Sequence, residues 1–135
     1  MAYRLANAIR QITCDALVDA IDTGGAGTIQ IRTGSQPTNV DDAPYPTLLG
    51  TLTFNATAFG AASGTGVATA ASITPDADAD AGGTAAHARI LRGNGNIHSD
   101  CTCGQGSGDI NFNNNVIVIN GTISITAMTI TVPMV

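Results

Sequence analysis

At 135 residues the chain has room for one hydrophobic core and no second, and a chain of this length buries roughly two-thirds of its unfolded surface, so it needs neither a metal nor a disulfide framework to fold. Charged residues make up only 11%, against roughly 25% in ordinary soluble domains; every acid is Asp and every base is Arg, with no Glu or Lys, so the surface is polar by hydroxyl and amide groups, which suit strands and turns. A net charge of −5 with five scattered arginines excludes the basic footprint on which nucleic-acid affinity rests.

Residues 1–8 lack the continuous apolar stretch of a secretion signal, and no apolar run approaches the roughly 20 residues of a membrane span. A soluble chain made in a cytoplasm is expected, with no membrane partner. Three cysteines, an odd number, then argue against a disulfide scaffold.

Residues 4–22 read as one amphipathic helix. Leu5, Ile9, Ile12, Ala16, Leu17, Ala20 and Ile21 recur at helical spacing, with Gln11, Asp15, Asp19 and Asp22 on the other face. The apolar stripe must be buried, on the chain's own sheet or on a partner. Gly24 and Gly25 end the helix.

From there the period changes to 2. Residues 28–33 alternate, Ile29 and Ile31 inward. Residues 34–46, with Pro37, Pro44 and Pro46, form a loop too rich in proline for a paired strand. Strands follow over 48–54, with Leu48, Leu52 and Phe54 on one face, and over 67–73, with Val67, Thr69, Ala71 and Ile73 together. Residues 75–83 are a loop. Segments 84–91 and 97–103 flank Gly93-Asn94-Gly95-Asn96, a hairpin signal, and 109–112 is a short strand. Segments 116–119 and 122–132 flank Asn120-Gly121, a second hairpin signal. A change of parity within the last strand predicts a bulge near Ala127-Met128, or a strand end covered on its second face. The expected fold is mainly β: one domain over 1–135, with a β-sandwich or open barrel of about eight short antiparallel strands over 28–132 and the N-terminal helix beside it.

Chemistry finds little to build on. Asp76, Asp78 and Asp80 alternate like the start of a Ca²⁺ loop, but Ala81 stands where the turn needs Gly and His87 where the bidentate Glu belongs. They remain weak metal candidates beside the plainer reading of a solvated acidic loop. Cys101 and Cys103, two apart in a strand, share the core parity of Ile97 and read as buried thiols, with Cys14 a packing residue on the helix. His98 and Asp100 lie on the opposite face, which separates them from the thiols. His87 and His98 both read as surface strand residues. Gly104-Gln105-Gly106-Ser107-Gly108 precedes a strand and carries no Lys, so it is a turn and not a phosphate loop. No cofactor and no enzymatic activity are expected.

The segment Leu5-Ala6-Asn7-Ala8-Ile9-Arg10-Gln11 with Asp15, Asp19 and Asp22, then Gly27-Thr28-Ile29-Gln30-Ile31-Arg32-Thr33-Gly34, Leu48-Leu49-Gly50-Thr51-Leu52, Ala58-Phe59-Gly60, Gly66-Val67-Ala68-Thr69-Ala70 and Val132-Pro133 carry a resemblance. In these the chain is similar to a family of small proteins encoded among the structural genes of tailed bacteriophages. The resemblance spans nearly the whole chain, rests on glycine-rich and aliphatic motifs, and offers no catalytic motif to transfer. It implies a virion component, foremost a capsid decoration (cement) protein that binds and stabilises the head, with the major capsid protein and copies of itself, in a trimer for instance, as partners. A tail, neck or fibre-attachment part is the alternative. A carbohydrate- or receptor-binding β-sandwich is a third reading, poorly served by a chain with no Trp.

Besides the acidic loop at Asp76 to Asp80, two surfaces are expected to make these contacts. One is the proline-rich loop, with Pro37, Pro44, Tyr45 and Pro46, because a rigid loop presents residues at low entropic cost. The other is the aliphatic ending Val132, Pro133, Met134 and Val135, which is odd for a terminus free in water and is expected to be buried in the sheet or on a neighbour.

Overall fold

The computed structural model describes residues 3–43 and 47–134; Pro44, Tyr45, Pro46 and Val135, each expected in a contact surface, lie outside them. Helix α1 covers Asn7–Asp19 and tightens into a single 3₁₀ turn, Ala20–Asp22. Gly24 (φ 86°) and Gly25 (φ 132°) then take the left-handed conformations that end it.

Among the described residues nine strands follow: β1 Thr28–Arg32, β2 Leu48–Thr53, β3 Val67–Thr69, β4 Gly83–Thr84, β5 His87–Leu91, β6 Ile97–Gly104, β7 Ile110–Asn111, β8 Val116–Ile117 and β9 Ala127–Thr131. Seven form one sheet in the order β2-β1-β5-β6-β7-β9-β3, and β4 pairs with β8 apart from it. The chain is mainly β with one N-terminal helix, and the sheet does not close into a barrel. One pair departs from the antiparallel expectation: β6 and β7 run parallel, Cys103 opposite Ile110 and Gly104 opposite Asn111. Parallel neighbours usually need a crossover of a dozen residues. Here the glycine-rich turn suffices, because Gly104 and Gly108 let the two backbones touch; a Cβ on Gly108 would stand 2.8 Å from the Cys103 carbonyl carbon.

The inner face of the sheet is aliphatic. Ile29 sits opposite Leu52 on one side and Ile90 on the other, and Ile31 opposite Gly50 and Ala88. These residues join Ile110, Ile123 and Met128 in one core, which Phe54 and Phe59 close with ring centroids 5.7 Å apart.

Three expectations are corrected in detail. In β3 the buried residue is Ala68, not Val67 or Thr69, because the strand is only three residues long and follows the pleat of β9. The arms around Asn120-Gly121 do not pair with each other. The turn is present, with Asn120 at φ 63° and the Gly121 amide donating to the Val118 carbonyl, but β8 pairs with β4 and Ile123 bridges Asp76. The parity change expected near Ala127 is therefore the point where β9 begins. Its end is covered on one face only: Met128, Ile130 and Val132 share a parity and pack on the core, whereas Ala127, Thr129 and Thr131 are exposed.

Both edges of the large sheet are occupied by irregular chain. Beyond β2, Asp80 and Ala81 donate to the Leu49 carbonyl, Thr74 donates to Thr53, and the Asp76 carboxylate accepts from the Thr51 amide at 2.9 Å. Beyond β3, Ser63 donates to Val67 and Gly60 to Thr69. Backbone groups along both edges are thus already bonded within the chain and are not bare for strand addition.

Candidate functional site

The helix docks on β3 and β9 by the face that carries Gln11, Cys14, Asp15 and Val18, and Ile21 of the apolar stripe is buried with them. Cys14, Val18 and Ile21 are buried, and the Cys14 thiol donates to the Ile130 carbonyl at 3.7 Å. The polar residues of this face bond to the irregular segment 54–66. Asp15 accepts from the Ala62 amide at 2.6 Å, Gln11 donates to the Ala62 carbonyl, and Asp22 accepts from the Ala58 amide. Ala58 and Ala62 are buried outside the regular strands, and their amides need such acceptors, which Asp22 and Asp15 supply. His98 ties the helix to β6: its Nε2 donates to the Leu17 carbonyl at 2.7 Å, and its Nδ1 accepts from the Ser99 hydroxyl.

Of the stripe that had to be buried, Ile21 is buried and Leu5 half-buried, whereas Ile9, Ile12 and Leu17 face water. Ile12 is 63% exposed, and Ile9 and Leu17 are also exposed, with Tyr3 exposed just ahead of the helix. The C-terminal segment runs beside its start. The Val132 amide donates to Gly66, Arg10 Nε donates to the Val132 carbonyl, and the Leu5 amide donates to the Met134 carbonyl, each at 2.9 Å. Val132 is half-buried, but Pro133 and Met134 are exposed, so the expected burial of the ending within the chain stops at Val132.

A second apolar patch lies on the turn after β8, where Val116, Val118 and Ile119 are exposed. The acidic loop flanks it, because the Ala79 amide donates to Gly121 and the Asn120 amide donates to Ala79, both at 2.9 Å. Asp78 and Asp80 stand exposed on either side of Ala79. Asp76 points the other way and bonds the Thr51 and Asp78 amides. The three metal candidates thus diverge. Among the described residues no three His, Cys, Asp or Glu side chains are grouped to hold an ion.

The outer face of the sheet carries an ion pair that sequence reading missed. Arg89 lies opposite Asp100 across β5 and β6, both side chains nearly inaccessible, with Nε 2.8 Å from Oδ1 and Nη2 2.9 Å from Oδ2. The same guanidinium donates to the Asp42 and Val40 carbonyls, and the charge-assisted bonds to Asp100 hold Arg89 protonated, its pKa raised. His87, expected at the surface, is buried and donates through Nδ1 to the Gly34 carbonyl at 2.9 Å. Residues 34–43 of the proline-rich loop are strapped down over this face, and Pro37 is buried rather than presented. Beneath it, Arg32 is more easily deprotonated than usual, because burial and the neighbouring Arg89 both disfavour its charge.

The thiols are shielded. Burial pushes the Cys101 and Cys103 thiols up, Cys103 to about 12. The glycine-rich turn binds its own chain: the Gly106 and Gly108 amides both donate to Asn111 Oδ1, where a phosphate oxygen would otherwise sit. A groove of about 180 Å³ contains His98, Ser99, Asp100 and Cys101. In it the imidazole holds the helix and Asp100 holds Arg89.

The thiols give a pH prediction. The folded chain keeps them protonated, whereas the unfolded chain releases the protons near the ordinary value of about 8.5. Their contribution to stability is complete below that pH and is lost as pH rises toward the folded value of about 12. Urea midpoints are expected to fall steadily above about pH 9. At neutral pH, a chromogenic disulfide reagent should label Cys101 and Cys103 no faster than the protein opens; rapid labelling of the native protein would contradict this.

Among the described residues no helix is long and apolar enough to cross a membrane. No protein-family model, curated protein or solved structure matches the chain.

Proposed function

We propose that this chain is a non-enzymatic virion structural protein, a capsid decoration protein that binds and stabilises a phage head. The observation that carries the reading is the helix docked by its Cys14 and Val18 face, which leaves Ile9, Ile12 and Leu17 in water beside Tyr3 and Met134. Large apolar side chains left exposed together on one helix mark a protein-contact surface. The satisfied edges of the sheet, the inert thiols and the diverging aspartates point away from chemistry and toward presented surface. The similarity to phage structural proteins supplies the setting, and low charge density lets copies crowd with little repulsion.

Heads assembled without the protein provide the test. Added purified protein is expected to bind them at a stoichiometry set by the lattice and to raise the temperature at which they rupture. Heads that bind none, or particles carrying only a handful of copies at the tail or neck, would overturn the reading.

A further inference from the structure

The two exposed apolar patches lie at opposite ends of the sheet order and carry opposite charge. The helix packs on β9 and β3, at one end. Its patch, Tyr3, Ile9, Ile12 and Met134, is bordered by Arg4 and Arg10, and residues 3–14 contain no acid. The first helical carboxylate, Asp15, is turned inward onto Ala62, and the exposed Asp19 lies at the far end of the helix from Arg4. At the other end, segment 79–81 bonds both Leu49 of β2 and the turn after β8. That patch, Val116, Val118 and Ile119, is bordered by the exposed Asp78 and Asp80, and neither 72–86 nor 113–126 contains a base.

We infer that the helix patch of one copy docks on the β8-turn patch of the next, a head-to-tail contact between copies of this chain. A symmetric pairing of either patch with itself would bring like charges together, two arginine borders or two aspartate borders, whereas the crossed pairing brings Arg4 to Asp78 and Asp80. Because the patches are distinct, one copy can hold two neighbours at once, and the contact closes a ring or extends along a surface. The inference deepens the decoration reading and rests on it for the crowding that brings copies together.

Two variants in the full chain test it, Ile12→Asp and Val118→Asp. Both positions are exposed, so circular dichroism and the melting curve should match those of the parent. Analytical ultracentrifugation of the parent is expected to show concentration-dependent association that weakens with salt. Each variant alone should associate at least about tenfold more weakly, since a charge placed in the contact remains desolvated and unpaired. Mixed together, the two should recover a one-to-one dimer, because each retains the patch the other lacks. Arg4→Asp combined with Asp78→Arg and Asp80→Arg should restore association lost in Arg4→Asp alone. A parent that stays monomeric throughout, a variant that associates like the parent, or a mixture that stays monomeric overturns the inference. Head binding, measured separately on the same proteins, keeps the two readings apart. Heads decorated by a strictly monomeric parent would leave decoration standing without the self-contact, and variants that lose only head binding would make the capsid lattice the occupant of these patches.

Discussion

Asp100→Ala is expected to lower the unfolding free energy by about 3–5 kcal/mol, the cost of leaving a buried charge uncompensated. Arg89 cannot shed its proton, lies in a site closed to water, and would lose both carboxylate bonds while keeping only the Val40 and Asp42 carbonyls. Against the 5–15 kcal/mol that holds a domain of this size together, such a loss moves the urea midpoint far down. Replacing both partners, Arg89→Met with Asp100→Leu, should recover much of that loss, because no buried charge then remains. The double variant should still differ in one respect: with the guanidinium gone, residues 34–43 lose their strap, and limited proteolysis should cut there first. A midpoint in Asp100→Ala within about 0.5 kcal/mol of the parent would show that the pair is open to water.

Gly93→Ala is expected to cost about 3 kcal/mol, at the top of the range for overpacking. Gly93 donates to the Ile21 carbonyl at 3.0 Å, and a Cβ there would overlap the peptide of Gly25. This is where the end of the helix meets the β5–β6 turn. Neither side can yield easily, since both are backbone. Gly64→Ala is the control: nothing lies within 4 Å of its added Cβ, and its stability should stay within about 0.5 kcal/mol of the parent. Equal melting temperatures for the two variants would remove this junction from the account of the fold.

Much of the architecture was legible in the residues. Gly24-Gly25 marked the helix end, the alternation around Ile29 and Ile31 marked β1, and prolines marked the loop after it. What stayed hidden concerned partners. The helical stripe shows which residues would gain from burial, but not that Ala58 and Ala62 would need Asp22 and Asp15 more. The ion pair was hidden by a single irregularity. Counting outward from Leu91 opposite Ile97 pairs Arg89 with Ser99 and sends Asp100 to the other face; the register shift between Ile90 and Leu91 puts Arg89 opposite Asp100. Asn120-Gly121 likewise specified a turn, but nothing local says that β8 must pair across to Gly83-Thr84 rather than with the strand that follows. Turn chemistry is local, and strand pairing is not.

The occupied edges of the sheet bear on what happens when many copies share a small volume. A bare strand edge templates further strands, and growth by that route ends in cross-β fibrils that are effectively irreversible. In this chain Asp76, Asp80 and Ala81 on one side and Gly60 and Ser63 on the other already hold those backbone groups. Copies of the chain brought close together therefore present no bare edge of the large sheet to one another, and that route to fibrils is blocked.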